Sequence, residues 1–116
     1  MSKSMLRVAV IVLTLITAGI HLYLGVASIG DPSIRTLTIL WLLDGAGYLI
    51  LLGGVLGITP VLKDNKALAH YALMGIAAAT ILAWYALGDR TSMFGIAIKV
   101  EELLLIIATF MHLRKA

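Results

Sequence analysis

Four apolar windows constrain this chain more than any other feature, because the connectors between them are too short to fold into anything else. The windows run from about Met5 to Ser28, Ile34 to Ile58, Ala67 to Leu87 and Met93 to Leu113. A helix that crosses the hydrocarbon of a bilayer needs roughly 20 mostly apolar residues, and each window has that reach. The connectors "GDPS", "TPVLKDNK" and "GDRT" carry the Gly, Pro, Asp and Asn residues that end helices and tolerate turns. Inside a bilayer every backbone amide must be paired within the fold, which helices do most simply. The expectation is an all-α, four-transmembrane-helix bundle running up-down-up-down, with residues 1–116 forming a single integral membrane domain. Composition agrees: 13% of residues are charged, against about a quarter in soluble domains.

The cations orient such a bundle. Lys3, Arg7, Lys63, Lys66, Arg114 and Lys115 fall on one side if the helices alternate, and only Arg35 and Arg90 lie in the opposite loops. Positive residues stay cytoplasmic, so both termini are expected on the inner side of a cell (cytoplasmic) membrane. The net charge of +3 is then a topology signal and implies no nucleic-acid partner. Lys3 and Arg7 ahead of an apolar run imitate a signal peptide. The run is too long for one and lacks a small-residue cleavage site, so the first helix reads as retained. Cysteine is absent, which removes disulfide and thiolate-metal chemistry. A unit this small buries only a thin core, so a homo-oligomer, at least a homodimer, is expected in the lipid.

With the spans placed, a rise of about 1.5 Å per residue converts position into depth. His21 falls roughly 10–12 Å below the outer surface and Asp44 roughly 15 Å, while Lys99, Glu101 and Glu102 fall roughly 9–14 Å below it. Ionisable groups from three helices thus converge on one layer. Each costs about 2.5–3.5 kcal/mol in hydrocarbon even on a lenient scale, so they are expected to face one another. Thr14, Thr17, Ala18, His21, Gly25 and Ser28 form a small and polar stripe on the first helix. Trp41, Asp44, Gly47 and Tyr48 share a face of the second, and Thr80 and Trp84 lie at similar depth on the third. Lys99 and Glu102 are i,i+3 neighbours and can pair, whereas Glu101 points about 100° away from Glu102. Two uses fit this layer: mutual neutralisation that holds helix register, or a buried polar site for a ligand, proton or metal.

The glycines of "LLDGAGYLILLGGVLG" read either as close helix packing or a dimer face, or as room for a flat cofactor. Three histidines add a chemical possibility. His70 and His112 fall at the cytoplasmic interface, either as plain interfacial groups or close enough to grip a metal. His21 is too deep to reach water, so it needs a partner; it is a structural donor, a proton carrier, or a metal or haem ligand. A b-type haem held between helices, with Trp41, Tyr48 and Trp84 nearby, would make the bundle a cofactor-binding protein for electron transfer or haem handling, with a redox partner. The competing expectation is a small proton- or cation-coupled carrier or channel using Asp44, Glu101 and Glu102. The first helix has no carboxylate and the charge bias is strong, and both features depart from the small multidrug-type transporters. Enzymatic use is open, since no tight ligand motif such as HExxH is present.

The string "AGIHLYLG", followed by the glycine-rich second helix, resembles small four-helix membrane proteins of archaea, particularly halophiles. That resemblance implies a free-standing bundle and brings no activity or site residues with it.

Overall fold

Three of the four helices begin where a side chain takes over a backbone amide that has no partner. In the computed structural model, which describes residues 2–60, 62, 64–87 and 91–115, four helices follow one another: α1 (Lys3–Ala27), α2 (Arg35–Leu56), α3 (Lys66–Leu87) and α4 (Met93–Lys115). No strand occurs among the described residues. Ser2 caps α1 by accepting from the Met5 amide at 3.2 Å, Asn65 caps α3 from Leu68 at 3.0 Å, and Ser92 caps α4 from Gly95 at 3.1 Å. Before α2 the chain makes one 3₁₀ turn, Pro32–Ile34. There Asp31 accepts from both the hydroxyl and the amide of Ser33, and these donors hold its exposed carboxyl below the usual carboxylate range. The end of α2 is a Schellman turn: Gly57 adopts φ +74°, with Ile58 N–H on Gly53 O and Gly57 N–H on Gly54 O.

Every helix packs on two others, in the cyclic order α1, α2, α3, α4, and the α1–α2 contact is the most extensive. Glycines make that contact close. A Cβ built on Gly45 would stand 2.6 Å from Leu22 Cγ and 3.1 Å from the Ala18 carbonyl, and one on Gly25 would meet Leu42. Gly47 serves the other neighbour, where a Cβ would meet Ile76 of α3. These glycines are therefore packing positions within one chain. We expect Gly45→Val to cost about 1–3 kcal/mol, because the Ala18 carbonyl cannot swing aside as a side chain can. Denaturant unfolding in detergent measures this, and a loss below about 0.5 kcal/mol would show that α1 and α2 separate freely.

The interior mixes a hydrophobic core, including Val10, Leu52, Leu73 and Leu105, with many polar groups, and the outside is apolar. Thr14, Thr17, His21, His70, Thr80, Glu102, Thr109 and His112 are buried, while Val8, Leu15, Leu43, Leu82, Leu103 and Leu104 are exposed. Turning polar groups inward and leucines and valines outward suits a solvent of lipid tails. The longest dimension is 43 Å, close to the about 40–45 Å of a bilayer with its headgroups. Three segments, Lys3–Ala27, Pro32–Leu56 and Lys66–Leu87, are long and apolar enough to cross a membrane. The expectation of four such spans meets a difference at α4. It has the length, but Lys99, Glu101 and Glu102 interrupt its apolar run. Of the cations that set the charge bias, Lys63 and Arg90 lie outside the described residues.

Candidate functional site

The α1 stripe and the charged turn of α4 meet because both repeat at helical spacing on facing helices. Their meeting point is Glu102, which is fully buried. Its Oε2 accepts from the Thr17 hydroxyl at 3.0 Å and from the Tyr48 hydroxyl at 3.2 Å. Its Oε1 lies 2.5 Å from Lys99 Nζ. Three helices thus converge on one carboxylate, with Tyr48 reaching it across the diagonal from α2. Two donors and an ammonium all point at acceptor oxygens, so Glu102 reads as an ionised carboxylate.

His21 completes the cluster, and its tautomer follows from its neighbours. Nδ1 lies 2.7 Å from the Thr17 carbonyl oxygen, which can only accept, so Nδ1 carries the hydrogen. Nε2 faces Glu102 Oε2 at 3.7 Å. A neutral ring would turn a lone pair toward the carboxylate, whereas a protonated ring turns a donor toward it. Nε2 is thus the ring nitrogen turned toward the carboxylate. The Tyr48 ring lies against His21, with centroids 5.9 Å apart.

Directly beside this cluster is a cavity of about 320 Å³ bordered by all four helices. His21, Asp44, Thr80 and Lys99 form its polar part, and Trp41, Trp84 and Phe94 supply aromatic surface among leucines and isoleucines. Asp44 is half-buried, accepts from the Thr80 hydroxyl at 3.1 Å, and interacts electrostatically with His21, Lys99 and Glu102. Gly95 lets α4 approach Trp84, since a Cβ there would stand 2.9 Å from the indole nitrogen.

Of the residues singled out from sequence, His21, Asp44, Tyr48, Lys99 and Glu102 come together, with Trp41 and Trp84 on the adjoining cavity. Glu101 does not join them. Its two carboxyl oxygens are buried with no hydrogen-bond partner among the described residues, because it sits about 100° round the helix from Glu102. Thr14 and Thr109, further along the α1 and α4 faces, also keep buried hydroxyls without a partner among the described residues. His70 and His112 do approach each other, but as a direct bond: His70 Nε2 lies 2.8 Å from His112 Nδ1. No group of three or more His, Cys, Asp or Glu able to hold a metal occurs among the described residues. Sequence reasoning placed Thr17 in the polar stripe but missed it as a direct donor to Glu102. It missed Phe94 altogether, which carries no signal beyond being apolar.

No similar protein emerges: no family model matches the chain, and comparison with curated proteins and with solved structures finds no match. Function must therefore be argued from this geometry, and the archaeal resemblance rests on its quoted residues alone.

Proposed function

We propose that the protein exchanges a proton for a small amphipathic cation taken up in the aromatic-lined cavity. One observation carries this reading, the charge balance of the buried layer. Two carboxylates, Asp44 and Glu102, meet one ammonium, Lys99, beside an imidazole whose Nε2 faces Glu102. With His21 neutral, and with Glu101 turned about 100° away from the cluster, these four groups hold one uncompensated negative charge. A proton on Nε2 cancels it, and so does a cation beside Asp44; both together leave an excess. Unbalanced charge away from water is costly, so proton and cation compete.

Each residue then has a task. Asp44 attracts the cation and Thr80 fixes its orientation. Trp41, Trp84 and Phe94 offer ring surface to the cation and its apolar body. His21 holds the proton, while Thr17 and Glu102 hold His21. Lys99 keeps Glu102 from binding the cation itself.

The reading includes four spans in alternating direction, both termini on the cytoplasmic side, and an assembly of more than one copy in the bilayer. Support for α4 as the fourth span is its outward face, where Val100, Leu103, Leu104 and Ile107 are exposed while Glu102 turns inward. Support for the orientation is the gathering of Lys3, Arg7 and Lys66 at one end. A b-type haem is the alternative. It would need His21 Nε2 to abandon Glu102, and His70 and His112 to give up their mutual bond.

The test is titration of the detergent-purified protein with tetraphenylphosphonium in weak buffer. We expect saturable binding with release of about one proton per cation on the acid side of the site's titration, less above it, and loss of both in Asp44→Asn. Binding without proton release, no binding at all, or a Soret band in the purified protein would each overturn the reading.

A further inference from the structure

At the opposite end of the bundle lies a second cavity of about 350 Å³, lined by Lys3, Ser4, Arg7, Lys66, His70 and His112, with Val55 and Leu56 of α2 as its apolar side. No carboxylate lines it among the described residues. Amino ends of α1 and α3 and carboxy ends of α2 and α4 border it together, so helix dipoles offset one another and the side chains decide its sign. That sign is positive.

The floor is a hydrogen-bond chain with a fixed direction. His70 Nδ1 lies 2.6 Å from the Lys66 carbonyl oxygen and must donate to it. A neutral His70 then has only a lone pair at Nε2, so it accepts from His112 Nδ1–H at 2.8 Å. What remains is His112 Nε2, on a buried ring, with no bond among the described residues. The charged and titratable groups facing that ring are His70 and Lys66 from α3 and Lys3 and Arg7 from α1, with none from α2. Three exposed cations thus rim a floor that becomes a fourth cation on taking up one proton.

The geometry points to a binding site for a phosphate-class oxyanion, either a free phosphate or the headgroup of an anionic lipid. Arg7 offers a planar fork for two oxygens, the two lysines supply point charges, and protonated His112 donates from below. Basic cavities between helix ends at a membrane surface suit phosphate headgroups. The inference stands apart from the exchange reading, since it uses neither Asp44 nor the aromatic cavity.

The test has two arms on the full-length protein in neutral detergent. One titrates inorganic phosphate calorimetrically; the other measures by native mass spectrometry how much added phosphatidylglycerol is retained relative to phosphatidylcholine. A lipid source predicts retention at least about tenfold in favour of phosphatidylglycerol, and a soluble source predicts saturable phosphate binding at millimolar Kd or better. In either case Arg7→Gln with Lys66→Gln should weaken binding by about tenfold or more. Both residues are exposed, so the fold is not at risk. His112→Phe should remove any proton uptake that accompanies binding. No binding in either arm, or unchanged binding in the double variant, would overturn the inference.

Discussion

Replacing Glu102 by alanine is expected to cost about 3–5 kcal/mol and to leave little folded protein, since it strands a buried ammonium. Lys99 Nζ sits 2.5 Å from the lost carboxylate and is mostly shielded. The Thr17 and Tyr48 hydroxyls would lose their acceptor at the same time. Removing both charged partners should do less harm than removing one. The double change Lys99→Met, Glu102→Leu replaces a buried ion pair with apolar groups, and such replacements are often neutral or better. Unfolding of the parent, the two single variants and the double variant in a mild detergent closes the cycle. If Glu102→Ala were as stable as the parent within about 0.5 kcal/mol, the three-helix convergence on this carboxylate would have no energetic role.

His21→Gln should separate binding from coupling. The amide can still donate to the Thr17 carbonyl, so the ring's anchoring bond has a substitute, but no proton can be stored opposite Glu102. In the parent, one-for-one competition makes the apparent cation affinity fall about tenfold per pH unit on the acid side of the site's titration. In His21→Gln the same plot should be flat over about two pH units, a difference near a hundredfold at the acid end. Measuring tetraphenylphosphonium Kd from pH 5 to 8 reads both curves. A variant that keeps the full slope would place the exchangeable proton elsewhere, and Asp44 would be the next group to examine.

Much of the layer is legible in the sequence, and the reason is periodicity. Thr14, Thr17 and His21 recur at helical spacing, and Lys99 and Glu102 stand i,i+3, so each set was assignable to one face. The separation of Glu101 from Glu102 followed from the same 100° step, although its lack of a partner did not. Spacing within one helix says nothing about rotation relative to another, and so the diagonal reach of Tyr48 to Glu102 was hidden. The histidine pair shows a different limit. Position along the chain brought His70 and His112 to one level, but only the carbonyl of Lys66 reveals which nitrogen donates. Lys3, Arg7 and Lys66 read from sequence as a topology signal, and the same three residues line the cavity proposed to take an oxyanion. α4 is where composition and the proposed span diverge: Lys99 and Glu102 spoil an apolar window yet pair with each other inside the bundle.

That last point bears on how the protein is made. A helix carrying Lys99, Glu101 and Glu102 is a poor candidate to leave a translocation channel alone, at about 2.5–3.5 kcal/mol for each charged side chain at mid-membrane. Its companions Thr17 and Tyr48 belong to helices synthesised earlier. On the four-span reading proposed above, biogenesis is expected to be vectorial, with α1 and α2 waiting in the bilayer as a receptor for the last segment to emerge.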